Sequence, residues 1–128
     1  MADEPHAPLY LQGIEHFNRG EYFDSHEVWE ELWLGESGED RRFYQGLIQA
    51  AVALYHLENG NAVGSRKLVD SSAAYLQRYR PHHHGLDVDD FLRCIRRCFE
   101  ENVGVRLETP GDLVFRPSIE LHLPGSGS

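Results

Sequence analysis

The stretch His26-Glu27-Val28-Trp29-Glu30-Glu31-Leu32-Trp33 decides the fold. In an α-helix its histidine and both tryptophans fall on one face, and Tyr22 extends that face by one turn. Glu30 lies at the edge of the face, one turn beyond His26. Because an unpaired polar group on a buried face is costly, we expect His26 to have a partner on a neighbouring helix.

That partner is expected on a longer helix at about residues 40–59. Its polar residues Gln45, Gln49 and His56 line up with Val52 in one row at the spacing of helix packing. Polar groups in register on a buried helix need partners, so this row is the predicted counterpart of His26 and Glu30. An apolar stripe should make the same helix the centre of the core: Phe43, Leu47, Ala50, Leu54 and Leu57.

The whole pattern predicts an all-α, single-domain bundle of four to five helices over residues 1–104. Gly20, Gly35, Gly60 and Gly104 mark helix ends, and Asn61 is the expected N-cap of the fourth helix. Ser37 and Asp40 resemble a capping arrangement that opens the third. Gly46 and Gly64 are candidates for close helix approach, although Gly64 is equally a candidate weak point of its helix. Residues 105–128 change to a two-residue period, which predicts an extended arm or small hairpin packed on the bundle, with a flexible end.

Composition limits the function. The chain has 128 residues and a net charge of −9, which argues against a nucleic-acid binder because phosphate contacts supply much of such affinity. It shows neither a secretory signal nor an apolar run of membrane-spanning length. We therefore expect a cytoplasmic protein with no nucleic-acid or membrane partner.

Two cysteines and a histidine run are further candidates. Cys94 and Cys98 lie one helical turn apart, and in a cytosolic protein the simplest interpretation is a pair of small buried residues. The alternative is a metal site shared with His82, His83 and His84 of the loop at 81–85.

The segment Phe17 to Trp33, the run Phe43-Tyr44-Gln45-Gly46-Leu47-Ile48-Gln49, His56 and Gly60-Asn61 together resemble the domain-of-unknown-function 309 family. The resemblance implies a small all-helical bundle. It also brings the label "predicted metal-dependent hydrolase", which rests on the His/Glu pattern, here HExxE at residues 26–30. The positions that match the family's motif are His26, Glu27, Trp29, Glu30, Trp33, Gln49 and His56.

One interpretation of these residues is a metal site. His26, Glu30 and His56 would hold Zn²⁺ or Fe²⁺ and leave a position for water, with Glu27 as the catalytic base. The spacing differs from the HExxH motif of zinc proteases, which has a second histidine at the fourth position. This interpretation is the alternative to the favoured one.

The favoured interpretation is a buried structural network or a small-ligand pocket between the second and third helices. A helical protein-interaction module ranks third, because no thirty-four-residue period recurs. The predicted binding residues are Tyr22, His26, Trp29, Glu30, Trp33, Gln45, Gln49 and His56.

Overall fold

The structure, a computed structural model, describes residues 7–103, 113 and 115–121. Within these residues the chain forms five α-helices: α1 (Pro8–Asn18), α2 (Tyr22–Leu34), α3 (Arg41–Glu58), α4 (Ala62–Leu76) and α5 (Val88–Asn102). The predicted all-α bundle is confirmed. A 3₁₀ turn, Gln77–Tyr79, follows α4. No helix in the described ranges is both long and apolar enough to cross a membrane.

A short hairpin replaces the predicted loop at residues 81–85. Strand β1 (His82–His83) pairs antiparallel with β2 (Leu86–Asp87). His84 and Gly85 connect the strands with φ angles of 49° and 76°, the left-handed conformation of a two-residue hairpin turn. Strands of two residues are too short to show a period in the sequence, so they were not predicted.

Helix α3 lies at the centre of the bundle, where it packs against α2, α4 and α5. The predicted stripe is confirmed, since Phe43, Leu47, Ala50 and Leu54 are 0% exposed and Leu57 is 3% exposed. Complete burial of an aliphatic or aromatic side chain of this size contributes about 1.5–3 kcal/mol. Burial of this stripe therefore stabilises the placement of α3 in the core.

The α1–α2 and α3–α4 connections are built alike, forty residues apart. Gly20 and Gly60 adopt φ angles of 78° and 83°, which favour glycine. In each turn the glycine N–H donates to the carbonyl three residues earlier, at 3.0 and 3.1 Å. The next N–H donates to the carbonyl five residues earlier, at 2.9 and 2.8 Å. Both turns are Schellman motifs that reverse the chain into an antiparallel helix pair.

Two glycines let helices approach closely. A Cβ atom added at Gly13 would lie 2.0 Å from Nε1 of Trp29, and one added at Gly46 would lie 2.6 Å from Cγ of Leu76. The prediction for Gly46 is confirmed. These contacts press α1 against α2 and α3 against α4, so a side chain at either position would separate the pair.

The predicted N-cap of α4 is confirmed, whereas the predicted capping arrangement of α3 is not. The Asn61 side chain accepts from the Gly64 N–H at 2.9 Å, which confirms the N-cap. A Cβ at Gly64 would meet this cap rather than another helix, so its predicted packing role was wrong. The capping arrangement of Ser37 with Asp40 was also wrong: Asp40 occupies the N-cap position of α3 without a side-chain cap, because its carboxylate binds two histidines instead.

The described part of the C-terminal segment packs on the bundle. Asn18 exchanges two hydrogen bonds with the backbone of Ile119, at 2.9 and 2.7 Å. Phe115 lies beneath the Arg97 guanidinium, and its carbonyl accepts from Cys98 Sγ at 3.0 Å. The predicted strand at 105–107 and the turn after it lie outside the described residues. The division at residue 104 stays a prediction.

Candidate functional site

The antiparallel pairing of α2 and α3 positions the predicted site. Near one end, the rings of Phe23 and Tyr55 lie 5.4 Å apart. Near the other, the Arg41 guanidinium carbon lies 3.9 Å over the Trp33 ring, and Arg41 donates to the Trp33 carbonyl. The stretches of α2 and α3 between these two contacts lie side by side. Four of the predicted residues on these stretches are called the α2–α3 seam: His26, Glu30, Trp33 and Gln49.

His26 and Glu30 lie close together in the seam without a hydrogen bond. Nε2 of His26 is 3.8 Å from Oε1 of Glu30, longer than the 3.2 Å or so of such a bond. The His26 side chain is 21% exposed and that of Glu30 is 52% exposed. Nδ1 of His26 is buried and lacks a hydrogen-bond partner among the described residues. The imidazole thus lies beside a carboxylate on one side and has no partner among the described residues on the other.

Buried polar atoms without partners are concentrated in the predicted binding residues. Within the described part of the chain they are Tyr22 Oη, His26 Nδ1, Trp33 Nε1, Gln49 Oε1 and, outside the prediction, Ser65 Oγ. An unmet buried donor or acceptor costs about 1–3 kcal/mol. The seam therefore holds a donor from Trp33 and an acceptor from Gln49 that no described residue uses.

Tyr22 lies at the inner side of α2. Its ring is 1% exposed and lies 5.3 Å from that of Phe17, edge to face. Burial is the main cause that raises the pKa of its hydroxyl above the ordinary value. Tyr22 therefore remains a neutral donor and acceptor at any physiological pH.

The remaining predicted residues separate into different places. Trp29 is completely buried and donates from Nε1 to the Tyr10 carbonyl at 3.1 Å, which is a packing role. Glu27 is exposed, and Gln45 is half-buried. His56 lies in the last turn of α3, where its Nδ1 is 3.5 Å from Nδ2 of Asn61.

The predicted metal ligands do not come together as a set of three. Nε2 of His26 and Oε1 of Glu30 are 3.8 Å apart. His56 does not join them in a group whose ligand atoms all lie within 4.8 Å of one another, as two other groups among the described residues do. The Zn²⁺ or Fe²⁺ site at these positions, with Glu27 as base, stays a prediction.

A second histidine–carboxylate cluster forms where the sequence did not predict one. Nε2 of His83 lies 2.8 Å from Oδ1 of Asp40, and Nε2 of His84 lies 2.7 Å from Oδ2. We call these three residues the Asp40 cluster. Their side chains are 26–33% exposed. One carboxylate thus binds two imidazoles at the edge of the core.

Backbone contacts hold the Asp40 cluster in place. The Tyr10 hydroxyl donates to the His84 carbonyl at 3.0 Å, and the Tyr79 hydroxyl donates to the Glu39 carbonyl at 2.6 Å. These bonds tie both the β1–β2 hairpin and the residue before Asp40 to the bundle. The two sides of the cluster therefore have fixed positions.

Aromatic rings enclose the histidines. The His83 ring centroid lies 4.6 Å from that of Phe43 and 4.7 Å from that of Tyr79. The His84 ring is stacked at 17° to Tyr44 and lies 4.3 Å from His83. The imidazole planes are consequently set by packing before any ligand arrives.

The charge state of Asp40 follows from its neighbours. Partial burial raises the pKa of the carboxyl, but hydrogen bonds from His84 and His83 and their charges outweigh it, so the pKa lies below the ordinary value. Asp40 is therefore an anion under neutral conditions, as a metal ligand or an ion-pair partner must be.

The cysteines have no part in this cluster. Cys98 is buried, and burial raises the pKa of its thiol to about 12, while Cys94 is half-buried and also has a raised pKa. Both are free thiols that are protonated at neutral pH. The alternative of a metal site shared by cysteines and loop histidines was therefore wrong in its partner: a carboxylate meets the histidines.

Residues 10–68 match the model of the family described as Domain of unknown function (DUF309), which confirms the resemblance seen in the motifs. The chain is 34% identical over 91 residues to a Bacillus subtilis (strain 168) protein named Uncharacterized protein YpuF; the alignment covers 69% of this chain and 52% of that protein. It is 29% identical over 101 residues to an uncharacterized Aquifex aeolicus (strain VF5) protein, covering 78% of this chain and 29% of that one. The chain spans about half the length of the Bacillus relative and less of the other.

Proposed function

We propose that the α2–α3 seam, which lies within the residues 10–68 matched by DUF309, binds a small planar molecule that carries both hydrogen-bond donors and acceptors. The observation that supports this is the set of unpartnered polar atoms in the seam: Nδ1 of His26, Nε1 of Trp33 and Oε1 of Gln49. A ligand acceptor for Trp33 and a ligand donor for Gln49 would remove the cost of leaving these atoms unpaired.

The surroundings suggest the shape and charge of the ligand. Phe23 is 47% exposed and Tyr55 is 36% exposed, and the Phe23 ring lies 5.5 Å from that of His26. Exposed aromatic rings beside polar groups offer a stacking surface. Glu30 at the edge disfavours anions. A neutral or cationic planar amide or nucleobase fits these features.

Binding requires the seam to open, since the three atoms are shielded from solvent in this conformation. Glu30 is the most exposed seam residue, with a side chain that is 52% exposed 3.8 Å from His26, so the opening would begin at this side chain. The proposal is compatible with the cytoplasmic location that the sequence predicts.

The metal-dependent hydrolase is a second candidate at the same seam. It is supported by the His26–Glu30 pair at 3.8 Å and would require His56 to leave Asn61. A Zn²⁺ or Fe²⁺ ion held there would activate water, with Glu27 as base.

The test is a titration of the purified chain with nicotinamide, uracil and adenine, followed by Trp fluorescence and by NMR chemical shifts. At least one probe should shift the indole N–H signal of Trp33, and Gln49→Met should weaken its binding. Gln45→Met is the matched control, because Gln45 lies one turn away and has no unpartnered buried atom.

The structural alternative gives a different result. If the seam only fixes helix register, none of the three probes will shift the Trp33 indole signal. If it holds a metal, Zn²⁺ will shift the His26 and His56 signals together.

A further inference from the structure

We propose that Asp40, His83 and His84 form a binding site for a divalent transition-metal ion of the Zn²⁺ class, with Nε2 of each histidine and one carboxylate oxygen as ligands. This site is separate from the α2–α3 seam and shares no residue with it. The inference is based on the convergence of three ligand atoms from two distant parts of the chain.

The three atoms are close enough to share one ion. One ligand atom from each of the three residues lies within 4.8 Å of the other two. In the present contacts each histidine meets a different oxygen of Asp40: Nε2 of His84 is 2.7 Å from Oδ2, and Nε2 of His83 is 2.8 Å from Oδ1. Ligand atoms around tetrahedral Zn²⁺ at its usual bond lengths are about 3.3 Å apart. In each present contact the nitrogen and the oxygen must therefore separate by roughly half an ångström to admit an ion.

Metal binding replaces hydrogen bonds that the cluster now makes. Each contact between Nε2 and Asp40 contains a proton, and an ion needs the Nε2 lone pair in its place. In a neutral imidazole the proton moves to Nδ1, and an imidazolium releases one proton to water. Asp40 then keeps its negative charge and binds the ion in place of the two N–H groups. Proton competition makes the affinity rise as pH is raised.

The ligand types favour a metal ion that is intermediate between hard and soft. Imidazole nitrogen suits Zn²⁺, Fe²⁺, Co²⁺ and Ni²⁺, whereas Ca²⁺ and Mg²⁺ prefer oxygen. Three protein ligands leave at least one position for water, the arrangement of catalytic rather than structural zinc sites. The cluster borders a surface depression lined by His82, His83, His84, Gly85 and Asp87, through which solvent can reach that position.

A second compact group among the described residues does not support the same inference. His16 and Glu21 form a direct pair at 2.7 Å within the α1–α2 turn, joined by Asp24, and both carboxylates are exposed. That group has one histidine, and no aromatic wall fixes its ring. The Asp40 cluster has two histidines and packed rings on both.

The test is a titration of the full, metal-free chain without a polyhistidine tag. Co²⁺ binding is followed by visible absorption, and Zn²⁺ binding by calorimetry. The expected result is one ion per chain in the wild type. Asp40→Asn, His83→Gln and His84→Gln should each weaken binding by more than the roughly 10–100-fold that follows loss of a supporting residue.

Two control variants make the assignment specific. His82→Gln changes an exposed histidine in the same hairpin, and His26→Gln changes the seam. Both should bind Co²⁺ as the wild type does. Circular dichroism establishes that each variant is folded, and Asp40→Glu, which keeps a carboxylate, should retain measurable binding if Asp40→Asn does not fold.

The proposal is overturned if Co²⁺ adds no visible absorption band to the wild type. It is equally overturned if folded His83→Gln and His84→Gln proteins bind as tightly as the wild type. Loss of binding in His26→Gln with retention in His84→Gln would move the metal to the seam, as the sequence had suggested.

Discussion

The α2–α3 seam and the Asp40 cluster both place histidine beside a carboxylate, but their hydrogen bonding differs. In the seam, His26 and Glu30 are 3.8 Å apart, and buried atoms of His26, Trp33 and Gln49 lack partners in the described structure. In the Asp40 cluster, both carboxylate oxygens accept from an imidazole at 2.7–2.8 Å.

The two regions therefore differ in whether their polar residues are already paired with one another. The seam residues lie on the core helices α2 and α3. Several of their polar atoms have no hydrogen-bond partner among the described residues. The Asp40 cluster joins residues more than forty positions apart and satisfies its own charge. The first should lose little when a polar atom is removed, and the second should lose stability.

The largest expected effect tests the packing of α3, the helix that both regions share. Leu54→Ala in α3 should destabilise the protein by about 2–5 kcal/mol, since it removes a completely buried side chain. Val63→Ala, at a side chain that is 70% exposed, should change the free energy of unfolding by less than about 0.5 kcal/mol. Urea denaturation measures both. Similar values for the two would show that α3 is not the central helix.

The second effect concerns the Asp40 cluster. Asp40→Asn should destabilise the protein by about 1–3 kcal/mol near neutral pH, because it removes the charge from two partly buried hydrogen bonds. Since the pKa of Asp40 is lowered on folding, this stability is fully present above the pKa of a free aspartate, 3.8, and is lost as pH falls through the folded value.

The measurement is chemical denaturation of wild type and Asp40→Asn in chelator across acidic and neutral pH. The two curves should differ at pH 7 and converge at the acidic end. A difference that is unchanged from pH 7 to the acidic end would contradict the role of the charged pair.

The third effect has the opposite sign. Gln49→Met keeps the volume of the side chain and removes an acceptor that has no partner, so it should stabilise the protein by about 1 kcal/mol. Gln45→Met should change stability little. Thermal unfolding of both variants measures this. A loss of stability in Gln49→Met would show that the seam is a satisfied structural network.

The smallest effect is expected at the seam ion pair. Glu30→Gln should alter the free energy of unfolding by less than about 0.5 kcal/mol, because the side chain is half exposed and 3.8 Å from His26. A larger loss, measured at low and physiological salt, would indicate that the His26–Glu30 pair is stronger than its distance implies.

The sequence predicted the helices and the core well because both depend on local periodicity. The α3 stripe, the glycine turns and the Asn61 cap each follow from neighbouring residues. The seam could also be predicted as a face, since each helix alone aligns its polar residues. Whether those residues touch depends on the rotation of two helices, which no single pattern contains.

The Asp40 cluster could not be predicted in the same way. The run of histidines at 82–84 is conspicuous in the sequence. Their partner Asp40 lies at the start of α3, where the sequence predicts only a helix cap. Only the packing of the β1–β2 hairpin against Phe43 and Tyr79 brings them together. The sequence therefore predicted a polar face on each of two helices, and it missed the Asp40 cluster for a topological reason.

The most direct test of this account is a long-range ¹H–¹⁵N NMR spectrum of the histidine side chains during Zn²⁺ titration. Among the eight histidines of the chain, the Nε2 signals of His83 and His84 should shift together and saturate at one ion per chain, and Asp40→Asn should abolish the shift. The His26 and His56 signals should stay unchanged. Coordinated shifts of His26 and His56, with His83 and His84 unaffected, would contradict the account.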